Sequence, residues 1–544
     1  MINLFFIFVS SMVICMTLIP ILMKSAAYLH VVDLPGGRKM HAEPIARIGG
    51  IAFATGALVS LLIWLPLDRL MVAYLLGAGV IVCFGVLDDR FGLHFKKKFL
   101  AQLAAAVIVV EVGEVHLTTF PFMDEMAIPV WVSVPLTVLT LLGVTNAINL
   151  SDGLDGLAGG LSLLSFGGIA YLAYLAADPL VLSLSLAAMG GILGFLRFNT
   201  YPARIFMGDG GSQFLGFSLG VAAILLTDGI RGGYSPWVAL LILGLPILDT
   251  LGVMAQRWTE GRSLFVADRN HLHHKLLAIG SYHHEAVTLI YAFQAMMVSL
   301  AVLLHWRGEM FLMAAWGMMA LSVSSLFFLA GQGRVQLHRP DREHALSISM
   351  VRKVRESRLF SELPTQLLGA GIPLFLVVSV FIPRQIPGDF GLLAIILFSL
   401  LLLGLLFFRR SAPLLIRLGL YVGGAFIVYL NEQSPSGSGW PIHTFLNLFF
   451  IGVAVMVLIA IQVNREQPFQ MTPLDYLVLF FTLIVPVLPE MRVGEILVGL
   501  IAGKLIILFF AYELLLSRLS ERTMQLGLSA LWALLVLGVR AWVV

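Results

Sequence analysis

The chain has 544 residues, a formal net charge of +3, 59% hydrophobic residues and only 12% charged ones. A soluble domain is usually about half apolar and a quarter charged, so this composition, with mean hydropathy +0.95, excludes one. The small net charge makes nucleic acid a poor candidate partner. The expected fold class is all-α, a polytopic helical membrane protein. Its apolar stretches run for about 17 to 23 residues, long enough to cross the hydrocarbon core, and lack the alternation of barrel strands.

Spans are predicted at 2–23, 48–66, 70–87, 99–113, 131–148, 157–176, 180–198, 211–228, 237–255, 286–305 and 310–330. The first run lacks a basic leader and is followed by Lys24, which predicts a retained span with its N-terminus outside. Cys15 and Cys83 lie inside apolar runs and read as buried small hydrophobes, with no disulfide or metal spacing. The connectors alternate in charge: 24–47, 88–98 and 256–275 carry four Lys and Arg each, and those between carry one or none. The basic connectors are therefore expected in the cytoplasm. A basic segment, 331–364, follows, with Arg334, Arg339, Arg342, Arg352, Lys353, Arg355 and Arg358. It reads as a cytoplasmic linker, or in part as an amphipathic helix on an anionic membrane surface. Beyond it, spans are expected near 367–383, 389–408, 411–430, 444–463, 473–489 and 493–515, with 524–544 as a seventh. The expected domains are thus 1–330, a bundle of about 11 spans; the linker 331–364; and 365–544, about 6–7 additional spans of unassigned role.

Five polar clusters interrupt the first domain, all predicted on one side. Thr145 to Gly160 places Asn146, Asn149, Asp152 and Asp155 at intervals of three among four glycines. On an ideal helix that spacing drifts by about 60° per step, so the glycines must bend or end the helix if one ligand is to meet these groups. A Gly-rich helix cap is the competing reading. Asp88 and Asp89 are adjacent acids at a span end, followed by Lys96, Lys97 and Lys98; the repelling carboxylates call for a cation, or else mark the membrane boundary. Asp209 sits between Gly208 and Gly210-Gly211 in NTYPARIFMGDGGS. That setting suits a metal-bound phosphate near a helix start, or an N-cap. His271, His273 and His274 crowd a loop with Arg262, Asp268 and Arg269; arginines beside histidines favour an anion over zinc. The fifth is a basic, Gly-bearing loop, Arg38 to Gly50. Asp249 is a lone acid inside a predicted span, either paired internally or in contact with the site.

Together these residues resemble the polyprenyl-phosphate N-acetylhexosamine-1-phosphate transferase family. That family includes the phospho-MurNAc-pentapeptide translocase and the enzymes that start O-antigen, enterobacterial common antigen and teichoic-acid linkage synthesis. The matching pieces, in family order across roughly 1–330, are RKMH and PIARIGG (38–50), DDRFGLHFKKKFLAQ (88–102), NAINLSDGLDGLAGG (146–160), FNTYPARIFMGDGGS (198–212), PILD (246–249) and FVADRNHLHHKL (265–276). The histidine loop reads HLHH, as in the GlcNAc-type enzymes, where the pentapeptide type carries three adjacent histidines.

The resemblance implies roles for residues at matching positions. Asp209 and Asn149 would bind Mg²⁺, with Mn²⁺ as a substitute. Asp88 and Asp89 would lie near the lipid phosphate, Asp88 as a suggested base, with Lys98 beside them. Asp152, Asp155, Asn199 and Phe206 would line the nucleotide pocket. His271, His273, His274 and Arg262 would handle the sugar and diphosphate, and Lys39 belongs to the looser first motif. The implied partners are a UDP-N-acetylhexosamine, undecaprenyl phosphate and membrane lipid, with a homodimer left open. The implied reaction transfers the sugar 1-phosphate, GlcNAc foremost, to the lipid with release of UMP, at the cytoplasmic face of a bacterial inner membrane. It would be the first membrane step of cell-surface polysaccharide synthesis. The alternative is a transporter or flippase of a lipid-linked or anionic solute, whose polar residues should lie near the midplane in two related halves.

Overall fold

The computed structural model describes residues 2–26, 28, 31–33, 44–122, 128–229, 233–263, 270–331, 363–407, 412–433, 442–463, 492–493, 496–518 and 523–543. Lys39, Asp268, Arg269, the segment 332–362 and the expected span 473–489 lie outside them. The described residues are almost wholly helical and fall into two compact units, one up to residue 331 and the other from 363 onward. Among the described residues ten helices are long and apolar enough to cross a membrane, or eleven counting one bent pair. The protein is a multi-pass membrane protein.

The first unit begins with α1 (Ile2–Ala26) and a two-stranded antiparallel ribbon, β1 (Val32–Asp33) with β2 (Ile45–Ala46), in which Val32 faces Ala46 and Asp33 faces Ile45. Helices α2 (Gly49–Trp64), α3 (Arg69–Phe91), α4 (Phe95–Val107, continued by a wider turn to Val112), α5 (Val130–Leu150), α6 (Leu157–Leu175), α7 (Pro179–Asn199) and α8 (Gly208–Thr227) follow. Local chemistry sets several ends. The Asp68 carboxylate accepts from Met71 N at 2.7 Å and starts α3; Gly92, at φ +62, ends it. Asp178 caps α7 ahead of Pro179, a residue pre-set for a first helical turn.

Helix α8 is the core of this unit. It packs on α2, α3, α5, α6 and α7, and every residue from Gly208 to Thr227 is buried except Asp209. Glycines permit that closeness. A Cβ on Gly50 of α2 would fall on Gly211, and one on Gly85 of α3 on Gly210.

The expected span 237–255 is corrected to two helices, α9 (Pro236–Ile242) and α10 (Gly244–Thr259), bent by 83°. Pro246 has no N–H to give the Ile242 carbonyl, so a continuous helix cannot pass. Gln294 repairs the break, donating to Ile242 O at 2.6 Å and accepting from Leu245 N at 3.3 Å. Short α11 (Leu272–Ala278) and then α12 (His283–Leu304) and α13 (Glu309–Gly331) complete the unit. Cys15 is buried as expected, but Cys83 is exposed, because it faces outward on a helix whose inner side meets α8.

The second unit holds α14 (Leu363–Ser379), α15 (Gly388–Phe407), α16 (Ala412–Glu432), α17 (Ile442–Val463), a ribbon of β3 (Arg492–Val493) and β4 (Ile496–Leu497), α18 (Val498–Arg518) and α19 (Thr523–Val543). Within it α19 packs on α14, α15 and α16, and α18 on α16 and α17.

Candidate active site

The site grows from the exposed head of α8. Nothing in its own sequence caps that helix; its cap comes from α3. Asp89 accepts from the backbone N–H of Asp209 at 3.0 Å and of Gly210 at 3.3 Å. A carboxylate on the first free N–H groups also favours the positive helix end. Both Asp89 oxygens are engaged with backbone, so Asp89 holds Asp209 in place.

Asp88, one residue earlier, points the other way. One of its oxygens accepts from Leu93 N at 2.7 Å, and the other meets the Lys98 ammonium. Lys98 also reaches Asp209, at 2.9 Å. Two carboxylates from different helices thus share one cation. The Asn149 amide donates to Ser212 Oγ at 2.7 Å and lies 3.5 Å from Asp209 Oδ1. Below, Asn146 donates to Gln102 at 2.8 Å, and Gln102 to Gln213 at 3.0 Å. Asn146 is therefore structural.

The chain does break after Asn149, as the drift of the three-residue spacing requires. α5 ends at Leu150, a turn covers 151–156, and Gly156 at φ +79 starts α6. This turn joins the acidic cluster to the histidines. Gly153 lies against the His273 ring so closely that no Cβ fits. His271 Nδ1 pairs with Asp249 Oδ2 at 2.9 Å, and Leu272 N donates to Asp249 Oδ1 at 2.7 Å. Asp249 thereby fixes the ring and leaves Nε2 as its other face. The rings of His271 and His273 stand parallel, 6.1 Å apart, and His274 lies 4.2 Å from His273. His273 is 3% exposed. Burial, aided by His274, pulls its pKa down to about 4, so it is neutral at physiological pH.

The other expected residues divide. Asp152 is exposed at the turn, yet crowding by protein and repulsion from Asp209 push its carboxyl up, to about 7, against the pull of Arg47. Water on its open side screens part of that push. Asp155 accepts from Ala203 N at 3.0 Å. Asn199, buried, accepts from Gly156 N at 3.0 Å and donates to Ile205 O at 2.9 Å. These two tie the turn at 151–156 to the loop at 200–206 by backbone bonds. Phe206 is half-buried, and its backbone bonds to Ala46 and Gly49. Arg262 is exposed and pairs with Glu260 at 3.0 Å.

Comparison with known proteins decides the family. The model of glycosyl transferase family 4 matches residues 71–227, which hold the acidic cluster. The probable undecaprenyl-phosphate N-acetylglucosaminyl 1-phosphate transferase of Bacillus subtilis is 37% identical over 286 residues, 52% of this chain and 80% of its own length. The chain belongs to glycosyl transferase family 4. It is a glycosyl-1-phosphate transferase. The undecaprenyl-phosphate alpha-N-acetylglucosaminyl 1-phosphate transferase of Escherichia coli K12 is 31% identical over 318 residues, 57% of this chain and 84% of its own. The decaprenyl-phosphate N-acetylglucosaminephosphotransferase of Mycolicibacterium smegmatis is 34% identical over 293 residues, 48% and 72%.

Among these transferase residues, sequence reading left Asp249 undecided, held Arg47 and Ser212 within polar clusters without giving either a role, and passed over Gln102. Asp249 carried a usable signal, an acid inside an apolar run. Ser212, three residues after Asp209, lies on the same helical face. Gln102 gave none, since its partners are distant in the chain, and Arg47 showed only as one basic residue of the loop at 38–50.

Proposed function

We propose that this glycosyl-1-phosphate transferase moves N-acetylhexosamine 1-phosphate, GlcNAc 1-phosphate foremost, from a UDP-sugar to undecaprenyl phosphate and releases UMP. The observation that carries this reading is the Lys98 ammonium held between Asp88 and Asp209 at the accessible head of a buried helix. Acids and a cation that can exchange partners suit a diphosphate, whose oxygens take up the cation as the acids release it. The relatives' names, with polyprenyl phosphate and N-acetylglucosamine in them, support the choice of both substrates. Phe95, Phe99 and Leu100, exposed on α4 around Lys98, offer apolar surface to an acceptor's hydrocarbon. The basic connectors favour the cytoplasmic face of a bacterial inner membrane, at the first membrane step of a cell-surface polysaccharide.

In the reaction an oxygen of the lipid phosphate attacks the β-phosphorus of the sugar nucleotide. A new P–O bond forms as the bond from that phosphorus to the bridging oxygen breaks, and UMP leaves with the electron pair. The acceptor is already ionised near neutral pH, so Asp88 has little proton to remove. Its charge, opposed by Lys98, serves to position the ammonium for the phosphate. The neutral His273 can donate a hydrogen bond without adding a fixed charge, and Asp249 orients the His271 ring beside it.

The donor set fits Mg²⁺. That ion takes one or two carboxylates and completes its shell with water and phosphate oxygens. Asp88, Asp209 and the Asn149 carboxamide offer oxygen, and the two acids already share a cation. Asp209 and Asn149 would hold the ion; bound there, Mg²⁺ or Mn²⁺ supplies neutralisation of the diphosphate and the departing UMP.

The test is a panel of UDP-sugars presented to membranes containing the full chain, with UMP release followed with and without undecaprenyl phosphate and Mg²⁺. UMP release from UDP-GlcNAc that needs both is expected. Failure of every sugar nucleotide to release UMP rejects the reading.

A further inference from the structure

Lys98 has a part in the transfer, but a second cation at the head of α8 has none. Arg47 follows β2, and its backbone is fixed from two sides. Its N–H donates to Val31 O at 3.1 Å across the ribbon. Residues before and after it are bonded to the loop that leads into α8. Phe206 N donates to Ala46 O at 2.7 Å, Gly49 N to Phe206 O at 2.9 Å and Gly50 N to Met207 O at 2.8 Å. A Cβ on Gly208 would fall on the Arg47 carbonyl and on the Asp89 carboxylate. The Arg47 backbone is therefore locked against the residue that precedes Asp209.

The side chain is open where the backbone is held. It is 43% exposed, and its guanidinium pairs with Asp33 of β1 at 3.8 Å, beyond hydrogen-bond length. An exposed pair so loose holds its partner weakly. Among the described residues no hydrogen bond engages its five donors. Its charge nevertheless reaches the site. Of the charged groups acting on Asp152, only Asp209 acts more strongly; Asp89 and Asp155 act less. Asp89 feels the same charge. The two cations have different surroundings. Lys98 stands on α4 among the exposed Phe95, Phe99 and Leu100, a surface suited to a lipid. Arg47 stands on the segment bonded to Phe206 and acts on the turn at 151–156. The reaction brings together three phosphate groups, two on the donor and one on the acceptor, more than one ammonium can meet. A guanidinium offers a planar fork that takes two oxygens of a phosphate, where an ammonium is a point charge.

We propose that Arg47 binds the diphosphate of the sugar nucleotide, leaving Asp33 as the donor enters, while Lys98 meets the phosphate of the lipid. This inference rests on the transferase reading. Full-length wild type, Arg47→Gln and Arg47→Lys, in nanodiscs at constant Mg²⁺, are followed by UMP release. Their thermal midpoints are measured separately with UDP-GlcNAc and with uridine, which has no phosphate. Arg47→Gln should raise KM for UDP-GlcNAc by about 10–100-fold and leave KM for undecaprenyl phosphate within about twofold. UDP-GlcNAc should stabilise the wild type more than uridine does, and Arg47→Gln should shrink that difference while its response to uridine stays. Arg47→Lys keeps the charge and loses the fork; it should fall between, and carries the test if Arg47→Gln does not fold. Equal rises in both KM values overturn the inference, as does a rise for the lipid alone. A wild type that responds to UDP-GlcNAc, matched by both variants, overturns this inference and leaves the transferase reading standing. A wild type that neither releases UMP nor is stabilised by UDP-GlcNAc overturns both.

Discussion

Asp249 and His271 show how a single contact prepares a side chain for chemistry. The carboxylate holds the imidazole by one nitrogen and the backbone of Leu272 by its second oxygen. Asp249→Asn keeps the shape but can no longer accept through both oxygens, so the ring loses its fixed orientation. Turnover should fall by roughly 10–100-fold, as for other losses of an orienting partner, with little change in the amount of protein in the membrane. A variant with unaltered turnover would place His271 outside the reaction. His273 predicts a pH effect on stability. Its folded pKa, about 4, lies below the ordinary 6.5, so between those values the unfolded chain binds more protons and stability rises with pH. Thermal midpoints of the wild type should therefore drop, relative to His273→Gln, as pH falls from about 6.5 to about 4. Parallel pH profiles would contradict the buried neutral ring. Asp209 and Asn149 stood out in the sequence because the acid, the amide and their glycines stand in short motifs, and the fold brings the two side chains together at the head of α8. Asp89, Asp155 and Asn199 read as ligand-facing residues, yet in the fold they satisfy backbone N–H groups. Such demands arise only once loops and helix ends meet, so no local pattern announces them.

At the scale of the helices, the site depends on how closely α3 approaches α8. Gly85 touches Gly210, one residue from Asp209, and lies one turn before Asp88. A methyl group there would push the two helices apart and separate the acids that share Lys98. Gly85→Ala should cost about 1–3 kcal/mol of stability and reduce transfer by about 10²-fold, the scale of a 1 Å misplacement. Gly79→Ala on the same helix, where a Cβ meets nothing within 4 Å, should be neutral in both. Equal effects from the two would remove the argument from packing. The spans themselves were readable from hydropathy, since nearly every expected stretch within the described residues is helical. The bend between α9 and α10 was not, although Pro246 stood in view. A proline can kink a membrane helix slightly or end it, and here Gln294 and Ser165, both bonded to the Ile242 carbonyl, make the full break tolerable.

The whole molecule consists of two compact units, and the curated relatives match about half of the chain while most of their own length is covered. The family model, residues 71–227, lies within the first unit. A chain truncated near residue 345 should keep UMP release within a few-fold of the full protein when expressed to the same membrane level; complete loss would tie the second unit to catalysis. The account as a whole stands on Asp209, the accessible residue at the head of the buried helix. Its most direct test is UMP release from UDP-GlcNAc and undecaprenyl phosphate by membranes containing wild type or Asp209→Ala at matched levels. The expected result is lipid-dependent release by the wild type and a fall of at least about 10²–10³-fold in the variant, with insertion and thermal midpoint preserved. Wild-type turnover by Asp209→Ala would contradict it.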